Sequence, residues 1–495
     1  MPGRGRGRRA ARRGVAPWAF AACLAAALTA PPAQADTLRE ALVSAYQTNP
    51  QLEAARAQLR ATDEGVPIQR AAGLPSLSAS AQHTEFLKQS SSSFISPDRT
   101  LSANLDLGVP IYSGGAVRYG VRAAENRVEA GRADLRATES AIFSQVVAAY
   151  MDVIQNEALV GLTGNNVEVL SVNLEATSDR FQIGDLTRTD VAQSEARLAL
   201  ARSDLRTAQA NLVSARERYI QLVGNAPGEL APPPPLPGLP ADVDSAVVIA
   251  LDNNPDLIGA RERAEAAGYE INVAGAGRLP KLEIFTGGTY SNYLGTLGSV
   301  PGGPMNAEQA STSAQAGLRA TIPLFQGGRV AAQQRQAQAQ ASAALEQIVA
   351  TERDVISQVR AAYSSWQAAN AIIASNQAAV DAAELSLEGV QAENTVGNRT
   401  ILDILNAQQE LLGAQAQLIT ARRNAYVAGF TLLAAMGRAE ARDLGLEDAG
   451  PLYDPVENYE RVRGIIWDWA RDPDPVTHST RTVDIAAQDG EIQGP

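Results

Sequence analysis

Cysteine is almost absent: Cys23 is the only one among 495 residues. A disulfide framework and a cysteine-built metal site are therefore excluded. Histidine is nearly as scarce, and His83 and His478 are too far apart to form a metal-binding pair. Lysine occurs only at Lys88 and Lys281, so arginine carries the positive charge. Aromatics make up 5% of the chain while alanine abounds. That composition cannot fill a thick globular core, but it suits long helices in close contact through small side chains. No GxGxxG follows a strand, and GxxxxGK[ST], GxSxG and HExxH are missing. No catalytic residue, metal or cofactor is expected, and scattered acids such as Glu125 and Glu129 read as solvated helix faces.

Past residue 35 no apolar run reaches the roughly 18 residues of a membrane-spanning helix. Any membrane-spanning part would have to be a β-barrel. Residues 1–35 themselves read as a secretory signal: six arginines, an apolar run from Val15 to Ala30, then Ala33-Gln34-Ala35 as a cleavage pattern. A lipoprotein signal ending at Cys23 is the alternative. Cleavage at Ala35 would take the formal net charge from −12 to −18. A strongly acidic exported chain is a poor nucleic-acid binder.

What the chain does contain is itself, twice. Pro110 to Gly115 (PIYSGG) matches Pro323 to Gly328 (PLFQGG) 213 residues later, and Ala149-Tyr150 matches Ala362-Tyr363 at the same spacing. Gly184 and Gly397, Asp190 and Asp403, and Gly224 and Gly437 obey it too. Upstream, Asn49-Pro50 and Leu74-Pro75 match Asn254-Pro255 and Leu279-Pro280 at a spacing of 205. The ungapped part implies a rigid, length-critical element; the eight extra residues between Pro280 and Pro323 imply a loop. Repeat 1 is assigned to 36–224 and repeat 2 to 244–442. A Pro-rich linker, 225–243, joins them. An acidic tail, 443–495, follows; Tyr453 to Trp469 is expected to pack on the helices, and residues after Asp472 to be disordered.

Each repeat opens with helices. In the first, Leu38, Leu42 and Tyr46 share a face, Asn49-Pro50 breaks the run, and a second helix continues to about Ala72. The period then changes to two. Leu101, Ala103, Leu105, Leu107, Val109 and Ile111 alternate with polar residues or glycine, as do Ala314, Ala316, Leu318, Ala320, Ile322 and Leu324. Such strands have one apolar and one wet face and the length to cross a bilayer at a tilt. The β-hairpins are placed at about 76–112 and 281–325. Phe86, Phe94, Tyr112, Phe285, Tyr290, Tyr293 and Phe325 gather there like an interfacial girdle. An ordinary soluble sheet is the alternative. Proline-free stretches 116–183 and 329–396 predict helices about 100 Å long. Return helices are expected at about 190–223 and 403–436. Gly184 and Gly397 would end one helix in the left-handed region, and Asp190 and Asp403 would start the next. Four strands cannot enclose a barrel, so chains would have to combine, two giving eight strands or three giving twelve.

The junctions VPIYSGG and IPLFQGG and the turns FQIGDLTRTDVAQSEA and TVGNRTILDILNAQQEL resemble the TolC family of outer membrane efflux proteins. The resemblance spans about Asp36 to Arg442. It implies a mostly α fold with transmembrane β: a homotrimer whose 12-stranded β-barrel, set in outer-membrane lipid, is continued by a periplasmic α-helical barrel. It implies a periplasmic adaptor (membrane fusion protein) and an inner-membrane transporter of RND or ABC type as partners, with drugs or secreted proteins passing through and no chemistry performed. It implies a periplasmic entrance latch of Asp190 with Arg399, an acidic ring from Asp403, and adaptor-docking tips at Gly184, Leu186, Thr187, Arg188, Gly397 and Thr400. Pro110, Gly114, Gly115, Pro323, Gly327 and Gly328 become strand–helix junctions. The sequence departs from the family pattern at Asn394, where a tyrosine can support the latch, and at Asn406, where a second inward acid can follow. Simple helix capping is the other reading of the tips. A periplasmic coiled-coil adaptor and a filamentous scaffold are the rival functions; the first needs a lipoyl-like domain, and the second leaves the period-two segments unexplained.

Overall fold

A computed structural model describes residues 36–89, 96–298 and 308–492. The signal-like segment, Cys23 and Phe94 lie outside them. Repeat 1 comprises α1 (Leu38–Thr48), α2 (Pro50–Asp63), α3 (Gly65–Ala71), β1 (Ser76–Glu85), β2 (Arg99–Tyr112), α4 (Ala116–Gln182) and α5 (Arg188–Val223). Repeat 2 comprises α6 (Val243–Asn253), α7 (Pro255–Gly275), β3 (Lys281–Asn292), β4 (Ala310–Thr321), α8 (Arg329–Thr395) and α9 (Ile401–Ala435). A short α10 (Glu457–Val462) follows. The long helices α4 and α8 are both 67 residues, about 100 Å at 1.5 Å per residue.

The duplicated asparagines explain how each repeat closes. Asn49 and Asn254 are N-caps whose Oδ1 accepts backbone N–H groups of the next helix, with proline at the first helical position. Each then donates its Nδ2, at 3.0 Å, to a carbonyl near the end of a return helix, Leu222 for Asn49 and Ala435 for Asn254. The duplicated tyrosines tie down the linker. The Tyr150 hydroxyl lies 2.6 Å from the Ala231 carbonyl, and Tyr363 donates to the Ala241 carbonyl at 2.9 Å. Around them Phe143, Tyr150, Phe430 and Leu432 form a core with α1 at mid-length of the long helices. Away from this core the helix contacts run through alanines, such as Ala123, Ala130 and Ala133 on α4.

Two expectations, one for the opening helices and one for the tail, need correction. The helix expected from Pro50 to Ala72 is two helices, because Pro67 has no N–H to give the Asp63 carbonyl one turn back. The end of the tail is not free: Arg216 donates to the carbonyls of Asp489 (3.0 Å) and Glu491 (3.2 Å), and Gly490 packs against Gln209 on α5.

The four strands make one antiparallel sheet in the order β1-β2-β3-β4. The pairing of β2 with β3 joins the repeats. Opposed residues share a face, so the register sorts chemistry into two surfaces. One carries the row Leu77, Leu107, Thr286, Ala316 and the row Ala79, Leu105, Gly288, Ala314. The other carries Ser78, Asp106, Gly287, Gln315 and then Ser80, Asn104, Thr289, Ser313. Phe285 belongs to the polar face rather than to an aromatic girdle. Its ring lies over Gly317, with the Arg319 guanidinium 4.6 Å from its centroid. The expected strand continuing to Leu324 stops at Thr321, leaving Pro323 outside β4, whereas Pro110 stays in β2 beside a bulge.

Candidate functional site at the helical hairpin tips

At the end of α4 the Gly184 N–H donates to the Phe181 carbonyl and the Asp185 N–H to the Arg180 carbonyl, both at 2.9 Å. The second repeat copies this with Gly397 to Asn394 and Asn398 to Glu393, at 2.9 and 3.0 Å. This pair of bonds requires a left-handed residue, and the two glycines have φ of 85° and 83°. Three residues on, Thr187 and Thr400 cap the return helices. Each threonine Oγ accepts the N–H of the aspartate three residues later, and that carboxylate accepts the threonine's own N–H at 2.9 Å and its hydroxyl at 2.7 or 2.8 Å. The return helices therefore start at Arg188 and Ile401, two residues earlier than expected. Asp190 and Asp403 are third-position partners in these caps.

These bonds set the charge. The Thr187 hydroxyl and N–H hold the Asp190 carboxyl below the usual carboxylate range. The Thr400 N–H and hydroxyl do the same for Asp403, with Arg399 adding a smaller pull. Arg399 donates to Glu393 at 2.7 Å, and this contact raises its already high pKa. No ion pair joins Asp190 to Arg399 among the described residues of one chain. Asn394 donates to the Arg399 carbonyl at 2.7 Å, and Asn406 accepts from Arg197 at 2.9 Å. That last bond, with Leu405 packed against Leu170 and Leu198, ties the second hairpin to the first near the tips.

Leu186 is half-buried, while Thr187 and Arg188 are exposed. The sequence reading overlooked Ile183 and Val396, which are repeat equivalents and stand 80% and 70% exposed at the two turns. Their positions just before the tip glycines were the available signal. At the other end of the long helices, Gly114, Gly115, Gly327 and Gly328 all take positive φ. A Cβ on Gly114 would come 2.8 Å from that of Leu279, so the first junction admits only glycine.

The sequence profile described as outer membrane efflux protein matches residues 41–225 and 246–438, one segment per repeat. The chain belongs to this family. Outer membrane efflux protein BepC of Brucella suis is 34% identical over 447 residues, covering 90% of this chain and 94% of that protein. Outer membrane protein TolC of Escherichia coli is 27% identical, with 83% and 84% covered. The fold matches the Campylobacter jejuni CmeC outer membrane channel with a TM-score of 0.72 at 17% identity, covering 86% of this chain and 89% of that one. This efflux protein is thus an outer-membrane duct that reaches into the periplasm.

Proposed function

We propose that three copies of this efflux protein close a 12-stranded barrel in the outer membrane and continue it as a periplasmic helical tube. The observation that carries this is the sheet. It has one apolar face, and its outer strands β1 and β4 each lack a partner on one side among the described residues of the chain. In hydrocarbon such edges cost several kcal/mol for each bare N–H or C=O. Three chains remove all of them and leave a lumen, which eight strands would not. The helices agree: on α8, Leu345, Ile372 and Leu385 are at least half exposed, as a surface awaiting a neighbour would be.

The tips are the gate and the docking site. Arg399 exchanges Glu393 for Asp190 of a neighbouring copy when the entrance closes. Both ends are exposed ion pairs, each screened by water and contributing little, so the exchange is nearly isoenergetic and easily reversed. The three Asp403 carboxylates ring the entrance. Ile183, Val396, Leu186 and Arg188 face a periplasmic adaptor, which connects the duct to an inner-membrane transporter; the cargo is exported drugs or proteins. The test is single-channel conductance in planar bilayers: Arg399→Ala should raise it, and an unchanged conductance would remove Arg399 from the latch.

A further inference from the structure

We propose that the loop 462–471 is a membrane-surface anchor. Its Ile465, Ile466, Trp467 and Trp469 would lie in the headgroup region of the outer membrane's inner, phospholipid leaflet. This rests on the reading that the sheet spans that membrane.

The course of the tail leads to the bilayer. The Tyr453 N–H donates to the Tyr46 hydroxyl on α1 at 2.9 Å. Asn458 then donates to Asp63, the last residue of α2, at 2.7 Å. Tyr459 packs with Val66 on α3 and with Val121 and Val128 on α4. Finally the Arg463 carbonyl accepts from Arg70 near the end of α3, at 2.9 Å. Each partner is closer to the sheet than the one before. The neighbour of Arg70, Gln69, packs at Gly120, about one helical turn from the start of α4. The root of the loop is therefore about a turn below the strands.

From that root the chain leaves the protein and comes back. The Arg461 guanidinium grips both carboxylate oxygens of Asp472, at 2.9 and 2.8 Å, and closes the loop. Inside it, Ile465 N–H bonds to the Val462 carbonyl and Ala470 N–H to the Trp467 carbonyl, both at 3.0 Å. The result is a compact, stapled Ω-loop. Its tip carries a dense exposed apolar group: Ile466 is 72%, Trp467 69% and Trp469 83% exposed. Two tryptophans beside two isoleucines is the composition that settles at a membrane interface, where the ring is apolar and the indole N–H stays wet. Leu77, on the apolar face at the foot of β1, is 67% exposed. The cations at the root are already paired, Arg461 with Asp472 and Arg463 with Glu460. Attachment is thus hydrophobic and should not need anionic lipid.

Tryptophan fluorescence tests this directly. Once the signal is removed, the remaining tryptophans are Trp366, Trp467 and Trp469, so Trp366→Phe leaves only the two loop probes. The variant is reconstituted in vesicles of phosphatidylethanolamine, with or without phosphatidylglycerol, carrying lipids brominated at shallow or deep positions. Blue-shifted emission quenched by shallow bromines in both mixtures is expected. Adding Ile466→Asp should abolish that quenching while the oligomer persists in detergent. Emission at the water wavelength without quenching overturns the proposal. So does blue-shifted but unquenched emission, which would mean the loop lies against a neighbouring subunit. A control separates the two readings: Leu105→Trp on the sheet, with Trp366, Trp467 and Trp469 all changed to Phe. If that probe is quenched by deep bromines and the loop probes are not, the anchor alone is wrong. If neither is quenched, the sheet is not in the bilayer and the anchor falls with it.

Discussion

Glu139 is the residue with the most displaced chemistry among the carboxylates. It sits on α4, accepts the backbone N–H of Ala441, and is pushed up to about 7 by burial, with Glu440 and Asp443 nearby adding to the effect. An unfolded chain would ionise it near 4.3. Between those values the folded state holds the extra proton, so this group lowers stability as pH rises from about 4.3 to about 7. Across that whole interval the loss is on the order of 3–4 kcal/mol. Glu139→Gln keeps an acceptor for Ala441 and cannot ionise. Its apparent melting midpoint in detergent should exceed that of the parent at pH 8 and match it near pH 4. Equal midpoints at pH 8 would mean the carboxyl is not protonated in the folded chain. The tip aspartates have the opposite sign: their depressed values give capping that is present at neutral pH and fades only below about 4. The shift at Glu139 was not legible in the sequence, where it is one acid among many. Its burial depends on Ala441, about three hundred residues away.

Elements were far easier to read than contacts, and the glycines show why. Gly184, Gly397, Gly224 and Gly437 announce helix ends by local rules, because a left-handed residue is a property of a turn alone. What each glycine touches is a property of the fold. A Cβ on Gly397 would meet nothing within 4 Å, whereas on Gly437 it would come 2.4 Å from the Asn253 carbonyl oxygen. Both have positive φ, so Gly→Ala at either carries about 1–2 kcal/mol of backbone strain. Gly437→Ala carries in addition a clash that displaces the start of α7. Its thermal midpoint should fall well below that of Gly397→Ala; equal midpoints would contradict the packing at Asn253. The same divide separates the other readings. The 67-residue helices and the period-two strands follow from composition and alternation along the chain. The break at Pro67 was visible in principle, since a missing N–H is a local fact. The docking of residues 489–491 on α5 through Arg216 was not, because a polar tail carries no periodicity to betray its partner. At the tips, glycine and aspartate were legible as caps. The capping role of Thr187 and Thr400 was hidden beneath their resemblance to docking residues.

For the whole molecule the decisive feature is a sheet that is chemically finished on its faces and unfinished at its ends. On β1, β2 and β4 the rows alternate between alanine or leucine on one face and polar residues on the other, with β3 supplying glycine and threonine to both, so a bilayer on one side and water on the other are both accommodated. Its ends present ladder groups on β1 and β4 that only another strand can satisfy. In a closed ring of copies, β4 of one chain must lie beside β1 of the next. Cys23 is the only cysteine in the sequence, so in a Cys23→Ser background introduced thiols report without interference. Ser80→Cys on β1 together with Ser313→Cys on β4, treated with a bismaleimide in outer-membrane fractions, should give linked dimers and then trimers in denaturing gels. Either substitution alone should leave monomers, because β1 never neighbours β1 in such a ring. Trimer bands from a single variant would mean that like edges meet. Monomers from the double variant would leave both ladders open in lipid, a state the cost of bare backbone groups does not permit, and would remove the sheet from the membrane altogether.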